Sequence, residues 1–108
     1  MSKKTLLYFK NISMHKENLS YLKKNFNVIE TNNFDTSNKL DTLKKKKISL
    51  IYCDPSNYYS ASYLKNFKNL KYLVSSTTSK GFIDNKYCEL KKIIIICLEN
   101  EKKFLTKI

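Results

Sequence analysis

Two short stretches of this 108-residue chain concentrate the side chains that could hold a ligand. The first is Cys53-Asp54-Pro55-Ser56-Asn57-Tyr58-Tyr59. The second runs from Ser75 to Ile83 and includes Thr77, Thr78, Ser79, Lys80 and the only glycine, Gly81. Both are rich in hydroxyls and amides, and neither contains a pair of charged groups. Turns of this kind hold a small anion or hydroxy acid through backbone N–H groups and side-chain donors. Ser, Thr and Asn also favour turns for local reasons, because they hydrogen-bond their own backbone. Residue type alone leaves both readings open.

Other chemistries are poorly supplied. There is no GxGxxG and no GxxxxGK[ST], and one glycine cannot build a phosphate loop by the usual backbone logic. Cys53, Cys88 and Cys97 are odd in number, widely spaced and free of a CxxC, which argues against a disulfide framework or a zinc site. Cys97, inside an isoleucine run, reads as core. His15 has no Cys, Asp or His at ligand spacing and reads as a helix-surface residue. A phosphoacceptor receiver would place an acidic pair after the first strand, where this chain has Lys10-Asn11-Ile12. Asp54 alone does not restore that site, and the same loop lacks the phosphate cradle of a flavodoxin.

These turns need a scaffold, and the apolar pattern supplies one. Thr5–Phe9, Asn27–Thr31, Ile48–Tyr52, Leu70–Val74 and Ile93–Leu98 read as strands. Between them, Asn11–Lys24 reads as a helix capped by Ser13, with Ile12, Leu19, Leu22 and Phe26 near helical spacing. Thr36–Lys47 reads as one helix with Leu40 and Leu43 inward, and Ser60–Phe67 as a short helix after the break at Pro55. Asp84 caps a helix running to Leu90. Glu101–Ile108 begins another. The fifth strand, apolar on both faces, reads as a buried parallel strand. Strand–helix alternation predicts an α/β, flavodoxin-like, five-stranded parallel sheet of order 2-1-3-4-5 with helices on both faces, a single domain over residues 1–108. The two hydroxyl-rich turns then fall at the carboxyl ends of the third and fourth strands, where such sheets bind ligands.

The net charge of +12 comes entirely from lysine; no arginine is present. Nucleic-acid readers favour arginine for its bidentate fork. Abundant Lys, Asn, Ile, Tyr and Phe with scarce Gly, Pro and Trp is the bias of an AT-rich genome, so composition argues against a nucleic-acid partner. Lys44-Lys45-Lys46-Lys47 reads as a solvated helix end that complements the helix dipole. No apolar run approaches the ~18 residues of a membrane span. The five uncharged residues between Lys4 and Lys10 are too few for a signal peptide, so a cytoplasmic protein is expected.

From Leu64 to Ile108 the chain resembles the substrate domain of the D-isomer-specific 2-hydroxyacid dehydrogenases. That family commonly shows an Asn-Leu-Lys opening, two apolar residues, a TGxDxID turn, a short helix and an apolar strand. Here Asn69-Leu70-Lys71 opens the pattern and Ile83-Asp84 closes it, around Thr77-Thr78-Ser79-Lys80-Gly81-Phe82, with Tyr87-Cys88 following. The resemblance implies a flavodoxin-like substrate domain beside an NAD-binding Rossmann domain, and hydride transfer between the cofactor and C2 of a D-2-hydroxy or 2-keto acid. It places the family's catalytic arginine, acid and histidine in the Rossmann part and hinge, so the chain alone is expected to be inactive, a truncated or split piece. The missing half would be further chain or a second chain.

What transfers to this chain is a substrate-gripping turn at Thr78, Ser79 and Lys80 beside Thr77, and a cleft-facing loop at Cys53, Asp54, Asn57 and Tyr58. Asp84 corresponds to the family's Asp and caps the next helix. Ser79 stands in the glycine position and Gly81 two residues later. No cofactor is expected on this chain itself. The second reading is a stand-alone flavodoxin-like module that binds a small anion or a protein without catalysis.

Overall fold

The computed structural model describes residues 3–12, 16–75 and 80–97. The expected cap Ser13, His15, the turn residues Thr77, Thr78 and Ser79, and the expected C-terminal helix lie outside the described residues.

Strands β1 (Thr5–Phe9), β2 (Asn27–Thr31), β3 (Ile48–Tyr52), β4 (Tyr72–Ser75) and β5 (Ile94–Cys97) form one sheet in the order β2-β1-β3-β4-β5. All pairs are parallel, and the β1–β3 ladder shifts register between Thr5 and Leu6. This is the expected architecture. Along β1 successive side chains point to opposite faces. Leu6 and Tyr8 pack with Leu50, Tyr52, Val74 and Ile96 on one face, and Leu7 and Phe9 with Ile51 and Leu73 on the other. The central strands bury both faces, which explains their nearly unbroken apolar sequence. Each large side chain fully buried there contributes about 1.5–3 kcal/mol.

Helix α1 (Lys16–Asn25) covers the first face through Leu19 and Leu22, with Phe26 just beyond its end. Its first turn carries Glu17 and its last turn Lys23 and Lys24, matching the helix dipole. The short helices α2 (Phe34–Ser37) and α4 (Ala61–Leu64), with α5 (Asn85–Lys91), cover the other face through Phe34, Tyr63, Leu64 and Cys88. The Ser37 and Tyr63 hydroxyls lie 2.7 Å apart and satisfy each other inside this layer.

Three expectations need correction. The first helix does not include Asn11 and Ile12, whose N–H groups go to the Asn32 and Phe9 carbonyls in the turn after β1. Thr36–Lys47 is not one helix. Asn33 forms a capping box with Thr36, α2 ends at Ser37, and Asp41 caps a separate helix α3 (Thr42–Lys47) through the Lys44 amide at 2.8 Å. The new start turns Leu43 to solvent, while Leu40 in the connection still packs on the core. Nor is β5 buried on both faces. It forms the sheet edge, so Ile94 is exposed and Cys97 only half-buried. Among the described residues no helix is long and apolar enough to cross a membrane.

Candidate functional site

The carboxyl ends of β1, β3 and β4 lie side by side in the sheet, and three connections leave from them. Asp54, two residues past β3, ties two of these together. Its Oδ1 accepts from the Ser56 amide at 3.0 Å and the Ser56 hydroxyl at 2.6 Å. Its Oδ2 accepts from Asn57 Nδ2 and from Asn11 Nδ2, each at 3.2 Å. Asn11 comes from the connection after β1. Burial disfavours the charged carboxylate, but these hydrogen bonds, those from Ser56 foremost, outweigh it and hold the Asp54 carboxyl below its ordinary value. With four donors around it, Asp54 acts as an organiser of the loop and is poorly placed to take a proton.

Tyr59 joins the loops after β3 and β4. Its N–H donates to the Phe82 carbonyl at 2.8 Å, and its carbonyl accepts from the Asp84 N–H at 3.0 Å. These bonds make an isolated parallel bridge between Tyr59 and Ile83. The Tyr59 hydroxyl accepts from the Asp54 N–H at 2.7 Å. Its ring is buried against Phe34, Tyr63 and Phe82, with centroids 4.9, 5.6 and 6.0 Å away. Burial above all pushes the phenol far above its normal range, so it stays protonated.

The residues expected at the site divide by placement. Asp54 and Asn57 are in direct contact, and Asn57 is half-buried at the rim. Tyr58 projects outward, 56% exposed. Lys80 is exposed, and its carbonyl accepts from the Ile83 N–H and from Asn85 Nδ2. Cys53 points into the core. Its thiol is fully buried, and burial first, then the neighbouring Cys88, raises its pKa, so it meets the edge only through its backbone. Asp84 caps α5 by accepting from the Tyr87 N–H at 3.1 Å. Thr77, Thr78 and Ser79 lie outside the described residues. Asn11 and Tyr59 fall in turns the sequence places on this edge. Nothing local marks either one, since their partners are 43 and 5 residues away.

The arrangement is a hydrogen-bonded polar rim at the carboxyl edge of the sheet. It offers no histidine, no arginine and no metal-binding cluster among the described residues. It also does not fit a dinucleotide. Gly81, the only glycine, has no positive φ, and the one left-handed residue described is Lys92 at the end of α5. No glycine cradle lets a pyrophosphate approach the backbone.

No protein-family profile matches this sequence, and no curated protein matches it. Solved structures do match in fold. A 2-hydroxyacid dehydrogenase from Ketogulonicigenium vulgare Y25 superposes with a TM-score of 0.70 at 14% identity, over 88% of this chain and 29% of its own. The PH0520 protein from Pyrococcus horikoshii OT3 gives 0.67 at 19% identity, over 91% of this chain and 28% of its own. A protein assigned as a D-isomer-specific 2-hydroxyacid dehydrogenase, NAD-binding, from Polaromonas sp. JS6 66 gives 0.64 at 11% identity, over 88% and 30%. The chain therefore has the fold of one part of these proteins and spans about 29% of their length.

Proposed function

We propose that this chain is the substrate domain of an NAD-dependent D-2-hydroxyacid dehydrogenase, and that it does not turn over substrate without a cofactor domain. One observation carries the reading. The fold found in part of two proteins described as 2-hydroxyacid dehydrogenases occurs here together with the Asn69-Leu70-Lys71 to Ile83-Asp84 pattern, which runs from just before β4 to the cap of α5. Neither the remote structural likeness nor the pattern would suffice alone.

In this role the chain's residues position and do not react. Asp54 fixes the loop after β3, and Tyr59 binds it to the loop after β4. Backbone N–H groups and the rim of Asn57, Tyr58 and Lys80 would receive the carboxylate of the hydroxy acid. NAD, when bound to a partner domain, supplies the hydride chemistry. The family's turn residues, here Thr77, Thr78 and Ser79, would complete the grip.

The coding sequence downstream of Ile108, or of a neighbouring open frame, tests this assignment. A strand–GxGxxG–helix segment with a following arginine and histidine would support it. Unrelated sequence at both places would contradict it and leave the stand-alone binding module. That alternative is favoured by one feature, the self-contained Asp54 network, which is complete among the described residues without a second domain.

A further inference from the structure

The lysines of this chain are sorted by the fold. Lysine groups precede every strand: two before β1, two before β2, four before β3, three before β4 and two before β5. Backbone hydrogen bonds draw these starts into one edge, as where the Asn27 N–H meets the Lys4 carbonyl, Lys71 N–H meets Ser49, and Ile94 N–H meets Lys71. The described acidic residues fall elsewhere. Most cap or open helices or follow strands; the exceptions are Glu89, toward the end of α5, and Glu30, inside β2 and paired with Lys23 at 2.9 Å.

Genome bias accounts for how many lysines there are, not for this sorting. The helix dipole accounts for lysines in the last turns of α1, α3 and α5. It does not account for Lys68 and Lys71, since the last turn of α4 has no basic residue and both lie beyond its end. Around them the surface is concave. Two adjoining grooves of about 350 and 440 Å³ share Lys68, Leu70 and Lys91, with Lys65, Lys71 and Lys92 on their walls. Half-buried Tyr72 and Tyr87 flank them. None of these five lysines forms an ion pair among the described residues.

We infer that this amino-terminal edge of the sheet, opposite the rim described above, is a binding track for single-stranded nucleic acid. A row of five strand starts at ~4.8 Å spacing spans roughly 19 Å, and only a ligand with a charge on every repeat matches lysines along all of it. Open basic grooves with a tyrosine on each flank suit a single strand. Lysine without arginine contacts phosphate as a point charge and reads no base, so binding is independent of sequence.

Fluorescence anisotropy with a labelled oligothymidylate of about 20 nucleotides tests this at about 50 mM salt and above. The intact chain binds, and log K falls linearly with log salt. Replacing Lys68, Lys71 and Lys91 with Gln weakens binding about tenfold or more and flattens the slope by about 2. Replacing Lys16, Lys39 and Lys86 with Gln makes the same change in net charge and weakens binding by less than about threefold. Equal losses in the two triple variants, no binding at about 50 mM salt, or equal competition by polyglutamate would each overturn the assignment.

Discussion

The Tyr59 hydroxyl accepts the Asp54 N–H at 2.7 Å, while the Tyr59 backbone is held on both sides by Phe82 and Asp84. One residue thus sets the spacing between the two loops of the candidate rim. Tyr59→Phe leaves a buried amide without its acceptor, a loss of about 1–3 kcal/mol. Chemical denaturation measures it. A loss below about 0.5 kcal/mol would mean that the amide finds another partner and that Tyr59 is a packing residue only.

Asp54 should make stability depend on acid. Burial opposes its charge, but its hydrogen bonds hold the folded pKa below the ordinary value, so its contribution is complete above the unfolded pKa of about 3.9. It fades as pH falls through the lower, folded value. Asp54→Asn therefore destabilises by about 1–3 kcal/mol at neutral pH. The gap to the unchanged chain should narrow as pH falls below about 4. A gap constant from pH 7 to about 3 would show that the carboxylate charge is not what the loop uses.

Lys92 ends α5 in the left-handed region, with φ 59° and ψ 35°. Glycine suits this position, where the Lys92 and Ile93 amides return to the Cys88 carbonyl. Lys92→Gly is expected to stabilise the chain by about 0.5–1 kcal/mol, read as a higher denaturation midpoint.

The three cysteines should react unequally. Cys53 and Cys88 are buried, and burial foremost pushes Cys88 up to about 11. Cys97 is half-buried on the edge strand. A disulfide reagent at about pH 8 should label Cys97 in the folded chain and the other two only on unfolding. Rapid labelling of all three would contradict the buried placement of Cys53.

The sheet was legible because its signals are local. Five apolar runs, Pro55, and the Asp84 cap mark where elements begin and end. The break between α2 and α3 was harder, because the two caps that set it, Asn33 and Asp41, lie among other short polar residues with the same local hydrogen-bonding capability. Ile94 shows a different limit. An isoleucine run reads as buried whether a strand lies inside the sheet or at its edge. At the site, the turns were legible and their wiring was not. Cys53 looks available in sequence but sits in phase with the core, like Ile51, whereas Asn11 and Tyr59 matter through partners that only the fold brings near.

The most direct test of the substrate-domain assignment is amide-shift mapping of the 108-residue chain by NMR, titrated with D-lactate and with L-lactate. The account predicts saturable shifts at Asp54 to Tyr59 and at Lys80 to Asp84 that are stronger for the D isomer, with the amides around Lys68 and Lys91 unmoved. Shifts confined to the lysine edge, or none at the rim with either isomer, would contradict it.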